Sequence, residues 1–166
     1  MRFVPGALVC ALALVSPTAA TAQDAPAQDT AATAEDGPSP AIGYRQSVMQ
    51  GLNAHRGAII AIVDDDVEYR SHILAHATAL HRLAVMAGDV FPEGSGGDDT
   101  RAKDEIWQDT EEFREALEGL QDATGGLLDA VYAGDIGAVV EAITTVRGAC
   151  TGCHQTFRKP EPQGGN

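Results

Sequence analysis

Cys150-Thr151-Gly152-Cys153-His154 sets two thiols and an imidazole within five residues near the end of a 166-residue chain. On a helix Cys150 and Cys153 share a face, three residues apart, where both can add across the vinyl groups of one porphyrin. His154, one turn beyond Cys150, carries a nitrogen that can hold the iron from below. C-x-x-C-H is the attachment pattern of a c-type haem. Two other chemistries share part of it. A redox disulfide wants a strand, a turn and a helix, whereas the residues before Cys150 are helical in pattern. A zinc site needs a second ligand pair, and the remaining cysteine, Cys10, lies in an apolar leader. The spacing therefore predicts one covalent haem c, with Cys150 and Cys153 as its attachment points and His154 as the proximal iron ligand.

Haem attachment of this kind takes place outside the cytoplasmic membrane, and the N-terminus fits export. Arg2 gives a basic start, Phe3 to Val15 an apolar stretch, and Ala20-Thr21-Ala22 a small-residue cleavage site. Residues 1–22 are expected to be a signal peptide, too short in its apolar part for a stable membrane anchor. The expected location is the bacterial periplasm. The formal charge is −13. So acidic a surface repels nucleic acid and anionic lipid, and it favours redox partner proteins with a basic docking surface.

The elements that must position the haem follow from periodicity. Residues 23–40 carry no large apolar side chain and read as a flexible tether. From about Ala41 to Val63, Arg45, Val48, Met49, Leu52, Ile59, Ile60 and Val63 lie in one broad helical stripe. Asp64-Asp65-Asp66 turns the chain. A second helix is expected from about Asp66 to Ala87, with Tyr69, Ile73, Ala77, Leu80, Ala84 and Ala87 inward and Gly88 as its stop. A long loop over 88–103 follows, with Phe91 as an inward plug. A third helix is expected over 104–133, with Phe113, Leu117, Leu120, Thr124, Leu127 and Val131 as a seam and Trp107 packed at its start. Gly134 ends it and Asp135 caps the last helix, about Ile136 to Arg158. There Ile136, Val140, Ile143, Arg147, Cys150, His154 and Phe157 alternate four and three apart. The fold class is all-α, an antiparallel up-down-up-down four-helix bundle over 41–159, with a disordered tail over 160–166.

No Met or His follows His154, so any sixth iron ligand must lie upstream. In such a bundle Met49, roughly 10 Å into the first helix, stands within a turn of His154, roughly 6 Å from the end of the last. Met49 is thus the expected distal ligand; otherwise it fills space over the haem. His81 is at a similar height but at the edge of its stripe. His55, His72 and His76 lie too far along the axis.

These residues resemble the class II cytochromes c, cytochrome c′ and its low-spin relatives. The resemblance rests on Tyr44-Arg45-Gln46-Ser47-Val48-Met49, Phe91-Pro92-Glu93-Gly94-Ser95, Gly97 to Lys103, Glu105-Ile106-Trp107 and Cys150 to Arg158. It implies that Arg45 and Gln46 contact the haem propionates, where a guanidinium can bind a carboxylate through two hydrogen bonds. It implies that Asp99 and Thr100 close the haem edge and that Arg158 stands beside the proximal ligand. It also implies homodimers through the first helix, although Arg56 stands where the family usually has an apolar residue. Members with a bonded Met at position 49 carry electrons; members with an open iron bind nitric oxide or carbon monoxide. The leading expectation is a one-electron carrier ligated by His154 and Met49, with no catalytic residue. The alternative is a five-coordinate gas binder.

Overall fold

The computed structural model describes residues 39–161. The expected leader, the tether up to residue 38 and residues 162–166 of the expected tail lie outside the described residues. The first helix, α1, spans Pro40–Val63, so the last residue assigned to the tether already belongs to it. Proline suits a first helical position because its missing N–H would have no partner there. Ile42, Arg45, Val48, Leu52, Ile59 and Ile62 are buried along α1, with Met49, Ile60 and Val63 at the margin. The three aspartates make the expected corner, where Asp65 takes the left-handed conformation (φ 60°) that its short polar side chain tolerates.

The second helix starts later than its sequence suggests. A 3₁₀ turn, Arg70–His72, leads into α2, Ile73–Met86. Tyr69, expected in the core, is exposed and stacks on His72 with ring centroids 5.1 Å apart. The reason is that residues 64–68 offer acids and no apolar period, so burial begins at Ile73. Ile73, Ala77, Leu80 and Ala84 then fill the inward face as expected. Gly88 does not stop the chain; a 3₁₀ turn over Ala87–Val90 carries it on and buries Val90.

After the loop, the expected third helix is two. One turn, α3, covers Glu105–Gln108, and α4 covers Thr110–Ala133. Between them Asp109 leaves the helical region (φ −113°, ψ 68°), and its carboxylate accepts from the Glu112 N–H at 3.3 Å. That is an N-cap followed by acids in the first turn, a start signal present in the sequence. Phe113, Leu120, Thr124 and Leu127 are buried on the expected seam. Gly134 (φ 72°) closes α4, and Asp135 caps α5, Ile136–Phe157, by accepting from the Ala138 N–H at 3.1 Å.

The seam of α5 is shifted by one residue. Val139, Ile143, Val146 and Phe157 are buried, with Cys150 and Cys153 completing the four–three alternation between them. Ile136, Val140, Arg147 and His154 are exposed. Both registers contain Ile143, Cys150 and Phe157, so periodicity alone does not separate them.

α1 packs beside α2 and α5, and α4 beside the same two, the cyclic neighbour order of a four-helix bundle. Ile59, Leu80, Leu127, Val146 and Thr124 are fully buried at its centre. Among the described residues no helix is long and apolar enough to cross a membrane.

Candidate haem site

Two apolar clusters meet at the C-terminal end of α5. The larger runs through the bundle and touches Met49 and Cys150; the smaller gathers Ala102, Ile106, Phe113 and Phe157 and touches Cys153. Phe91 borders both, as the expected plug. Its ring meets Phe113 edge-on at 4.9 Å, and Phe113 meets Phe157 edge-on at 5.1 Å, an arrangement that suits the aromatic quadrupoles.

Cys150 and Cys153 are free, half-buried thiols at the junction of these clusters. Burial raises the pKa of Cys150, against the opposing pull of the Arg56 guanidinium. Burial, then the neighbouring Cys150, pushes Cys153 up to about 11. Both are therefore neutral thiols on an apolar seam, the form and surroundings suited to thioether bonds with an apolar ring. His154 stands at the exposed edge. Partial desolvation, then the charges of Arg158 and Arg101, lowers its pKa and favours the neutral ring that carries a metal-binding lone pair.

Arg45 is only 4% exposed. Its guanidinium donates to Val90 O at 3.3 Å, Ser95 Oγ at 2.7 Å, Ser95 O at 2.8 Å and Thr100 Oγ1 at 2.9 Å. It also lies 4.9 Å above the centre of the Phe91 ring. Every acceptor is neutral, and among the described residues Arg45 makes no ion pair within 4.0 Å. Burial lowers its pKa, yet a guanidinium keeps its proton. A buried cation with neutral partners alone is the electrostatic complement of a carboxylate, such as a haem propionate.

Of the other expected site residues, Thr100 is buried against Arg45, whereas Gln46 and Asp99 are exposed and make no side-chain hydrogen bond among the described residues. His81 is bonded at Nδ1 to Thr124 Oγ1 at 3.0 Å, a satisfied core-edge histidine. Trp107 packs as expected and donates from Nε1 to the carbonyls of Phe91 and Pro92.

Sequence reading missed Ser95, 3% exposed, which receives two of the Arg45 bonds. Pro92-Glu93-Gly94-Ser95 is a turn closed by Ser95 N–H to Pro92 O at 3.2 Å, with Gly94 at φ 79°. The Pro and Gly spacing is a turn signal that could have placed it. Also missed was the pairing of the loop with the end of α5. Ala102 bridges Arg158, Lys103 N–H bonds Phe157 O at 3.0 Å, and Lys159 N–H bonds Arg101 O at 2.7 Å. This brings Arg101, Lys103, Arg158 and Lys159 together beside His154.

The cytochrome c′ family model matches residues 40–158. Cytochrome c′ of Pararhodospirillum photometricum is 31% identical over 119 residues, 71% of this chain and 95% of that protein. The Alcaligenes xylosoxydans protein is 31% identical over 120 residues, 72% and 93% of the two chains. Among solved structures, a nitric oxide complex of a variant of cytochrome c prime from Alcaligenes xylosoxidans superposes with a TM-score of 0.69 at 29% identity, covering 76% of this chain and 99% of that one. A carbon monoxide-bound variant of the same protein also gives 0.69 at 29% identity, covering 75% and 98%.

These findings overturn the leading expectation, an electron carrier with His154 and Met49 as axial ligands. The relatives at 30% identity or more are cytochromes c′, with cytochrome c-554 of Cereibacter sphaeroides more distant at 26%, and the similar structures include gas complexes. The physical reason lies in what methionine can do. Met49 sits half-buried against the apolar cluster that includes Val48 and Leu52, and a flexible thioether can fill space there without a bond to iron. The thiol pair, the adjacent neutral imidazole and the buried lone guanidinium all fit a covalent haem, and the chain belongs to the cytochrome c′ family, with a covalently bound haem c as its prosthetic group.

Proposed function

We propose that this chain is a five-coordinate haem c protein of the periplasm that binds nitric oxide or carbon monoxide. The observation that carries the reading is its likeness to nitric oxide and carbon monoxide complexes of cytochrome c prime over 75% or more of its length. The haem supplies an iron atom at which a small gas can bind. The residues of the chain do the rest. Cys150 and Cys153 hold the ring, and neutral His154 holds the metal from one side. Arg45 meets a propionate with the charge that its neutral partners leave uncompensated, while Gln46, Asp99 and Thr100 border the same edge. Met49, which packs on the same apolar cluster as Cys150, would restrict by its bulk what reaches the metal. No residue of the site is assigned a catalytic role. The leader over residues 1–22 supports export, and membership of the cytochrome c′ family supports a homodimer.

Visible spectra of the purified haem protein test this directly. The expected outcome is a high-spin ferric spectrum without a near-infrared sulfur-to-iron band, unchanged in Met49→Ala, and a ferrous form that takes up carbon monoxide. Met49→Ala should speed uptake by roughly tenfold or more, as removal of about 1.4 kcal/mol of steric barrier would. A low-spin spectrum whose sulfur-to-iron band vanishes in Met49→Ala would overturn the proposal.

A further inference from the structure

Two imidazoles outside the haem site meet between the first two long helices. His55 of α1 and His76 of α2 approach Nδ1 to Nδ1 at 2.9 Å, with ring centroids 5.2 Å apart and planes tilted by 50°. Both rings are half-buried. His72 precedes His76 by four residues, and its own backbone is already helical (φ −85°, ψ −14°), so the two share a face of α2. His72 is exposed and stacks on Tyr69.

As it stands the contact is a hydrogen bond, in which one ring donates Nδ1–H and the other accepts through its lone pair. Its length has a second meaning. Two nitrogens 2.9 Å apart subtend about 90° at an ion about 2.05 Å from each. That is the angle between adjacent ligands in a tetragonal or octahedral complex. A tetrahedral zinc ion at the same bond length would hold them about 3.3 Å apart. From this geometry we propose that His55 and His76 form a second metal site, a chelating imidazole pair for a divalent late first-row ion, Cu²⁺ ahead of Ni²⁺ and Zn²⁺. Imidazole suits these ions, and copper heads their affinity order.

The protonation balance closes without loss. The donor ring moves its proton from Nδ1 to Nε2, both rings stay neutral, and each turns so that its Nδ1 lone pair points to the ion beside the N···N line rather than along it. Among the described residues no three His, Cys, Asp or Glu side chains are already arranged around one point. Water therefore completes the coordination sphere, and His72 adds a third nitrogen once it turns from Tyr69. The formal charge of −13 enriches cations near the whole surface, which favours loading.

The test is titration of the haem-loaded full chain with Cu²⁺ in competition with a coloured chelator, alongside electron paramagnetic resonance of the ferric form, which needs no reductant that would turn Cu²⁺ into silent Cu⁺. One ion per chain is expected, with nitrogen splitting from at least two imidazoles and no change in the haem spectrum. His55→Gln and His76→Gln should each weaken binding at least tenfold, and His72→Ala should weaken it a few-fold. Circular dichroism identifies a variant that fails to fold, and either of the two glutamine variants alone decides the matter. Affinity unchanged within twofold in either folded glutamine variant would overturn the site, as would copper that shifts the haem bands.

Discussion

At Arg45 a single side chain ties together two parts of the chain that are far apart in sequence, α1 and the stretch from Val90 to Thr100. Its guanidinium reaches Val90, Ser95 and Thr100 from α1, so one residue fixes where the loop over 91–104 stands against the helix. A neutral replacement of similar length leaves those acceptors buried and unpaired. Arg45→Met should therefore lower the unfolding free energy by about 3 kcal/mol, read from urea denaturation of the haem-loaded protein. Arg45→Lys should recover only part of that, because an ammonium is a point donor and cannot span four acceptors set for a planar fork. A loss below about 1 kcal/mol for Arg45→Met would show that the loop is held chiefly by Phe91 and its aromatic neighbours. None of this bonding was legible in the sequence. The family resemblance pointed Arg45 and Gln46 only to a propionate, and the sequence could not show the rest because the acceptors lie 45 to 55 residues away and two of the four are backbone carbonyls. The chemistry of Cys150, Cys153 and His154 was legible, since five consecutive residues carry it whatever surrounds them.

At the scale of elements, the α1–α2 contact contains the one inter-helix imidazole pair among the described residues, and it gives the fold a pH dependence. Burial, then the positive charges of His55 and His72, lowers the pKa of His76 below the ordinary imidazole value of 6.5. The unfolded chain then binds more protons than the folded one between the two values, so stability rises with pH through that window. Acidification from pH 7.5 to 5.5 in the presence of a chelator should lower the urea midpoint, and His76→Gln should flatten that slope. An unchanged slope would mean that the pair opens at no cost when charged. The periodic pattern revealed the four long helices and where each ends, but it placed the starts of α2 and α4 too early. It could not separate two overlapping registers in α5, where valine, isoleucine and cysteine satisfy either. It also overran the start of α2, because acids that form good first turns are equally good corners. The pairing of His55 with His76 was hidden for the same reason, as both stand at the edge of their stripes.

The molecule as a whole combines a large excess of acid with a local gathering of base. Arg101, Lys103, Arg158 and Lys159 cluster at the haem end through the pairing of the loop with the end of α5, in a chain of net charge −13. Two consequences separate cleanly with salt. Self-repulsion among the acids works against the compact state, and counter-ions screen it. The ion pairs that salt would also weaken, Arg70–Asp65, those of Arg114 with Glu111 and Glu118, and those of Arg101 and Arg158 with Glu161, each have an exposed acid at the surface and contribute little. Raising sodium chloride from 20 to 500 mM should therefore raise Tm, by about 3 °C for each 1 kcal/mol of repulsion removed. Gas uptake should behave differently. Nitric oxide and carbon monoxide are uncharged, so neither the acidic surface nor the basic end steers them, and their association rates should stay constant over the same salt range. A protein partner that docked by charge would slow by an order of magnitude or more. A Tm that falls with salt would assign net stabilisation to the charge pattern, and a gas association rate that falls with it would show that a charged gate, rather than the bulk of Met49, controls entry to the iron.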